Sequence, residues 1–284
     1  MLKQFIKYQS LGNDFVVFDW FKKPEHYISK TLNEKSWESF VKNICDRHFG
    51  AGADCVLVLK SSTKSSLAEM IIFNSDGSQA ESCLNGLRCI AHHLFTIHGF
   101  PTNFKIKMGN KIVDCTMLPT KNKTDSINIV TTVGGVSVGE KLTIMIDKEN
   151  KENLDGTIVS VGNPHFIIFQ KKDLIWLKDN GAFIETHKSF PEKTNVEFVW
   201  PDEYVQNRYH VIIYERGCGV TLACSSGATA ITGLLLDQGK INTNEDIELI
   251  MPGGTLMTSV NEQGLVVLKA PAQRIFIGEL EAYE

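Results

Sequence analysis

Two stretches decide the fold: FNSDGSQAESCLNGLRCIAHHLF, residues 73–95, and YERGCGVTLACSSGATAITGLLL, residues 214–236. In each, a β-rich run ends in a polar, Gly-containing turn, a loop carries a cysteine, and an apolar helix follows. The cysteines, Cys83 and Cys224, stand 141 residues apart, about half of the 284-residue chain. The repetition predicts duplicated domains facing each other across a cleft. The helices are expected over residues 85–98 and 226–238, the second closed by Gly239.

Outward from these stretches the chain is strand-rich. Strands are expected in the first half at residues 5–8, 15–18, 55–59, 70–73, 104–107, 112–118 and 126–130. In the second half they are expected at 157–160, 165–170, 196–200, 210–214, 247–251, 265–269 and 275–277. Residues 31–46 place Leu32, Trp37, Phe40, Val41 and Ile44 on one face of a 3.6-residue period and predict a third helix. Many strands with few helices give an α+β class. A doubly wound nucleotide fold is disfavoured, because regular β-α alternation, a GxGxxG strand end and a GxxxxGK[ST] loop are all missing. The polar stretch Lys121 to Asp125 is the candidate linker.

Composition narrows the function classes. Apolar residues make up 43% and charged residues 22%, which excludes a disordered or fibrous chain. Lysine and arginine number 29 against 33 acids, a net charge of −4 without a basic run, so nucleic acid is not an expected partner. The longest apolar runs are core-sized, so no membrane is expected. The N-terminal stretch alternates like a strand and lacks a signal-peptide pattern, and seven cysteines fall without framework spacing. A reducing, cytoplasmic location follows, in which the sequon at Asn122 is a chance match.

Helix N-termini expose unpaired N–H groups and a positive dipole end, which favour a thiolate and receive a carboxylate. Cys83 and Cys224 are therefore expected to be reactive, although a single cysteine is more often a buried, inert core residue. Zinc is the chemical competitor. Cys83 and Cys89, and Cys218 and Cys224, each have five residues between them, wider than structural zinc spacing, and no metal is expected there. Cys45, Cys89 and Cys115 read as core residues, and Cys218 has no assigned role.

At this point the chain resembles the diaminopimelate epimerase family, cofactor-independent amino-acid epimerases of the two-cysteine type. The resemblance runs through GNDF (12–15), DRHFGAGAD (46–54), FNSDGS (73–78), the Cys83 loop, VGNPH (161–165), TNVEF (194–198), YERGCGVTLACSSGA (214–228) and MPGG (251–254). It implies two α+β domains, each a sheet wrapped around a central helix, with the active site in the interdomain cleft. The final strand near 275–277 would return to the first domain, giving domains of residues 1–122 plus about 271–284, and 123–270.

The resemblance further implies epimerisation of LL- to meso-diaminopimelate, for lysine and peptidoglycan precursors, without a cofactor. Cys83 and Cys224 would be the two proton-transfer groups, one base and one acid on either side of the α-carbon. His165 and Glu215 would assist them. Asn13, Asn74, Asn163 and Asn195 would contact substrate, as would Glu215 and Arg216. The backbone around Leu84-Asn85 and Ser225-Ser226 would receive the α-carboxylate. The expected partner is a small amino acid, with a homodimer possible. Four positions depart from the family pattern: Leu84, Leu87 and Ser225 replace small residues, and Cys55 stands where glutamine is usual. A racemase of another amino acid, or a binding protein without catalysis, are the other readings.

Overall fold

The structure is a computed structural model that describes residues 4–33, 36–61, 67–118, 126–146 and 152–280. The chain divides into two compact units, Met1–Thr131 with Ala270–Glu284, and Thr132–Lys269. In chain order the first contains β1 (Gln4–Ser10), β2 (Asn13–Asp19), α1 (Glu25–Leu32), α2 (Ser36–Cys45), β3 (Cys55–Ser61), β4 (Ala68–Asn74) and β5 (Gln79–Ala80). There follow α3 (Leu84–Ile97), β6 (Asn103–Met108), β7 (Lys111–Leu118) and most of β8 (Ser126–Val133). The second contains β9 (Ser137–Ile146), β10 (Glu152–Ser160), β11 (Pro164–Ile168), α4 (Leu174–Glu185), β12 (Asn195–Pro201) and β13 (Arg208–Glu215). It continues with β14 (Gly219–Thr221), α5 (Ser225–Asp237), β15 (Ile247–Met251), β16 (Gly254–Val260) and the start of β17 (Val266–Glu279). The expected linker, Lys121 to Asp125, lies outside the described residues, and the division between units falls within β8.

The units follow one plan. In the first, β2 runs parallel to β3, β3 antiparallel to β4, and β4 pairs antiparallel with short β5 and parallel with β6. In the second, β11 runs parallel to β12, β12 antiparallel to β13, and β13 pairs antiparallel with short β14 and parallel with β15. Each parallel step needs a helical crossover: α1 and α2, or α4, for one, and α3 or α5 for the other. The first unit closes on itself through β17, which pairs antiparallel with β1 from Gln4↔Glu279 to Gln9↔Gln273.

Helix α3 is buried continuously from Asn85 to Leu94, and α5 from Gly227 to Thr232. A helix buried on every side has no solvated stripe, so apolar and small residues must occupy the whole circumference. Around α3 the strands supply Tyr8, Phe15, Leu57, Met70, Ile72, Ile106 and Met108. The other face of β2, β3 and β4 is covered by an aromatic cluster of Phe18, Trp20, Trp37 and Phe73 beneath α1 and α2. Residues 31–46 thus do not form one helix: α1 ends at Leu32 and α2 starts at Ser36, and both ends pack on the same cluster. Cys45, Cys89 and Cys115 are core residues, and burial pushes their thiols up, Cys45 to about 11 and Cys115 to about 12. No described helix is long and apolar enough to cross a membrane.

Candidate active site

Cys83 is the N-cap of α3 and Cys224 the N-cap of α5, both with extended backbone (φ −153°, ψ 104° and φ −130°, ψ 117°). Each sulfur accepts a backbone N–H three residues on, from Gly86 and Gly227, both at 3.4 Å. The cap carbonyls take the first intrahelical bonds, from Leu87 at 2.9 Å and Ala228 at 3.0 Å. The N–H groups of Leu84 and Asn85, and of Ser225 and Ser226, precede any intrahelical acceptor, which makes each helix start a receptor for negative charge. Glycine at the third helical position has a packing reason. A Cβ at Gly86 would lie 3.1 Å from Leu57 and 3.3 Å from Phe15, and one at Gly227 would lie 2.8 Å from Glu197 Oε1.

In the first unit, Asn13 follows the Leu11-Gly12 hairpin turn, both residues with positive φ (53° and 79°). Its Oδ1 accepts from Asn85 Nδ2 at 3.2 Å and faces Cys83 Sγ at 3.9 Å, while its Nδ2 donates to Asp54 at 2.7 Å. Asn85 Oδ1 in turn accepts from Arg88, whose Nε donates to Ser10 Oγ at 3.0 Å. Arg88 is fully buried, and burial pulls its guanidinium down to about 10, which leaves it cationic at neutral pH and acting electrostatically on Cys83. Asp54 is held by Arg47 at 2.7 Å, and Arg47 also grips Asp14. Asn74 ends β4 opposite Cys55 and donates to Ser78 Oγ at 3.0 Å. Leu84 and Cys55 lie half-buried against the core. Asn13, Asn85 and Cys83 are thus gathered in one cluster; Asn74 and Cys55 form a neighbouring pair on adjacent strands.

In the second unit, His165 and Glu197 are both fully buried, with Nδ1 of the imidazole 2.6 Å from Glu197 Oε1. The ring's Nε2 lies 3.2 Å from Asn163 Oδ1. Asn195 is occupied at both ends, donating to the Pro164 carbonyl at 2.8 Å and accepting from the Arg216 N–H at 2.9 Å. Arg216 is exposed, and its guanidinium donates to the Glu192 carbonyl at 3.0 Å. Glu215 accepts from Thr221 Oγ1 at 2.6 Å and hydrogen-bonds Cys224, whose sulfur also lies 3.2 Å from Ser226 Oγ. Ser225 is buried at the helix start.

The expectation that both helix ends favour thiolates fails for Cys224. Burial pushes its thiol well above the ordinary value and the negative charge of Glu215 adds to it, outweighing the Ser226 and Gly227 hydrogen bonds. Burial also raises the Glu215 carboxyl, against the bonds from Thr221 and Cys224. Cys224 is therefore a protonated thiol at neutral pH. Cys218 is exposed. Neither cysteine pair considered for zinc forms a metal-holding cluster among the described residues. Sequence reading missed Asp54, Arg88, Glu197 and Thr221. Glu197 could have been suspected from its place in an otherwise apolar run, NVEFV, and Arg88 from a charge inside a helix that is apolar all round.

A family model described as diaminopimelate epimerase matches residues 5–133 and 157–275. Among curated relatives, the diaminopimelate epimerase of Prochlorococcus marinus (strain NATL1A) is 32% identical, the match covering 99% of this chain and 100% of that one. That of Carboxydothermus hydrogenoformans is 34% identical, covering 97% and 98%. Among solved structures, a PhzF-family phenazine biosynthesis protein of Bacillus anthracis superposes with TM-score 0.72 at 12% identity, covering 99% and 100%. A hydroxyproline epimerase of Agrobacterium vitis does so with TM-score 0.69 at 14% identity, covering 98% and 91%. At such identities these neighbours bear on the fold alone.

Proposed function

Because the chain belongs to the diaminopimelate epimerase family, we propose that it interconverts LL- and meso-2,6-diaminopimelate through a pair of cysteines, one supplied by each unit. The observation that carries this reading is the equivalence of the two helix starts, each capped by a cysteine whose sulfur accepts the N–H of a glycine three residues later. Inversion at an α-carbon needs a base on one side and an acid on the other. Cys224, kept protonated by burial and Glu215, is the acid in one direction, and Cys83 is the base. Proton transfer leaves Cys83 as thiol and Cys224 as thiolate, so the reverse reaction exchanges the roles.

Backbone N–H groups at the helix starts receive the α-carboxylate and oppose the charge that accumulates as the α-proton leaves. Asn13 and Asn85 hold the first helix start in place, and Arg88 supplies positive charge behind it. Glu215, His165 and Ser226 set the proton affinity of Cys224, His165 through Glu197 and Glu215 rather than by touching the sulfur. Arg216 is the group for the distal carboxylate, since its exposed guanidinium presents a fork of donors. Asn74 and Asn163 offer further amides, while Asn195, locked by two backbone groups, places Arg216. No cofactor enters the scheme. A reducing cytoplasm suits a protein whose catalytic pair is two thiols, and a homodimer is the assembly to look for by light scattering.

The test is incubation of the reduced protein with LL-diaminopimelate in D2O. The expected result is meso product carrying deuterium at one α-position, with Cys83→Ala and Cys224→Ala both inactive for net epimerisation yet folded. Deuterium incorporated into another amino acid but not into diaminopimelate would indicate a racemase of different substrate, binding without exchange a non-catalytic protein, and full turnover by either variant would remove the two-thiol scheme.

A further inference from the structure

Asp19, at the end of β2, stands against two imidazoles from the far end of α3. His93 Nε2 lies 3.0 Å and His98 Nε2 2.8 Å from the same carboxylate oxygen, Oδ2. The three potential ligand atoms are all within 4.8 Å of one another. We propose that Asp19, His93 and His98 bind one divalent transition-metal ion of the zinc class, an ion the epimerase chemistry does not use.

Four features of the surroundings support a built site. Two imidazoles and one carboxylate are a donor set suited to zinc, whose fourth position would fall to water. Bonds of about 2.0–2.1 Å in a tetrahedron put ligand atoms ~3.3 Å apart, so side-chain movements of about 1 Å convert the present arrangement into coordination. The groups are backed from behind: the Tyr8 hydroxyl lies 3.2 Å from His93 Nδ1, the Phe21 N–H donates to the other Asp19 oxygen at 3.0 Å, and the Phe21 ring packs on His98 at 4.9 Å. When an ion displaces the Nε2 proton that the Asp19 carboxylate accepts, Nδ1–H can donate to the Tyr8 hydroxyl, which leaves the Nε2 lone pair for the ion. Access is graded as a metal site requires, with the His93 side chain 3% exposed and that of Asp19 24%.

The position is remote from catalysis. Fourteen residues of helix separate Cys83 from His98, about 20 Å along α3. A bound ion would tie the end of β2 to the C-terminus of α3, so its effect is on the stability of the first unit, by preferential binding to the folded chain.

The experiment uses the full-length protein, stripped with a chelator and titrated with Co2+ and Zn2+ under reducing conditions. One equivalent per chain should bind with a rise in melting temperature, and the Co2+ spectrum should show ligand-field bands of nitrogen and oxygen donors without sulfur charge-transfer bands. Asp19→Asn and His98→Gln should abolish that uptake, and Tyr8→Phe should weaken it about 10- to 100-fold. Absence of uptake, equal uptake in both ligand variants, or a sulfur charge-transfer spectrum would overturn the proposal, and the last readout needs only the wild-type protein should a variant misfold.

Discussion

At the scale of single residues, the second half-site shows how burial and charge overrule a helix terminus. One backbone N–H and one hydroxyl favour the Cys224 thiolate, yet desolvation and the Glu215 carboxylate win. Removing that negative charge should release part of the upward shift. Glu215→Gln is expected to lower the Cys224 pKa, so that its alkylation by iodoacetamide accelerates at neutral pH, while epimerisation slows because the proton affinity of the thiol is altered. An unchanged alkylation profile would mean that Glu215 does not govern this thiol. Position 55 addresses specificity. Cys55 lies opposite Asn74 and beside Asp54, which anchors Asn13. A glutamine there adds a polar contact worth ~1 to 3 kcal/mol if buried, so Cys55→Gln should raise kcat/KM for diaminopimelate by roughly tenfold or more relative to other amino acids. A lowered value would show that position 55 does not select substrate.

At the scale of elements, the two cysteine-capped helices impose different tolerances at equivalent glycines. Alanine in place of helical glycine gains about 1 kcal/mol of propensity. At Gly86 the new methyl meets side-chain atoms of Leu57 and Phe15 that can yield slightly, whereas at Gly227 it meets Glu197, which is fixed to His165. Gly86→Ala should therefore be close to neutral, and Gly227→Ala should cost about 1–3 kcal/mol and reduce turnover; equal urea midpoints for the two would contradict this. These helices were legible in the sequence to within one residue, because a capping cysteine and Gly239, with φ 65°, punctuate an apolar run. Other elements were not. In α4 the run Leu174 to Leu177 leaves Ile175 exposed and Gly181 against the Tyr214 ring, so no apolar stripe betrays a helix. The periodicity of residues 31–46 ran across a break, since Leu32 and Trp37 serve one cluster from two helices. Of the site, the cysteines and asparagines could be read from local motifs, but Arg88, Asp54 and Glu197 owe their roles to partners 78, 41 and 32 residues away.

For the molecule as a whole, buried thiols tie stability to pH. Cys45, Cys89, Cys115 and Cys224 all have pKa values raised by folding. The folded chain then keeps protons that the unfolded chain releases above its ordinary thiol value of about 8.5, so stability is complete below that pH and falls as pH rises towards the folded values. Each thiol contributes a slope of up to ~1.4 kcal/mol per pH unit in that window. The urea midpoint should decline from about pH 8.5 upward, and Cys115→Val should flatten the decline by one proton's share; a level profile would refute the linkage. The path of β17 has a different consequence. Because residues 273–279 pair with β1, the unit that starts first on the ribosome lacks its closing strand until the whole of the second unit has been made. Residues 132–269 can complete their own sheet earlier, so biosynthetic order and order of completion are reversed. Until then the outer edge of β1 offers unpaired backbone groups to neighbouring nascent chains, and a stalled or prematurely terminated translation product is the form of this protein most prone to aggregate.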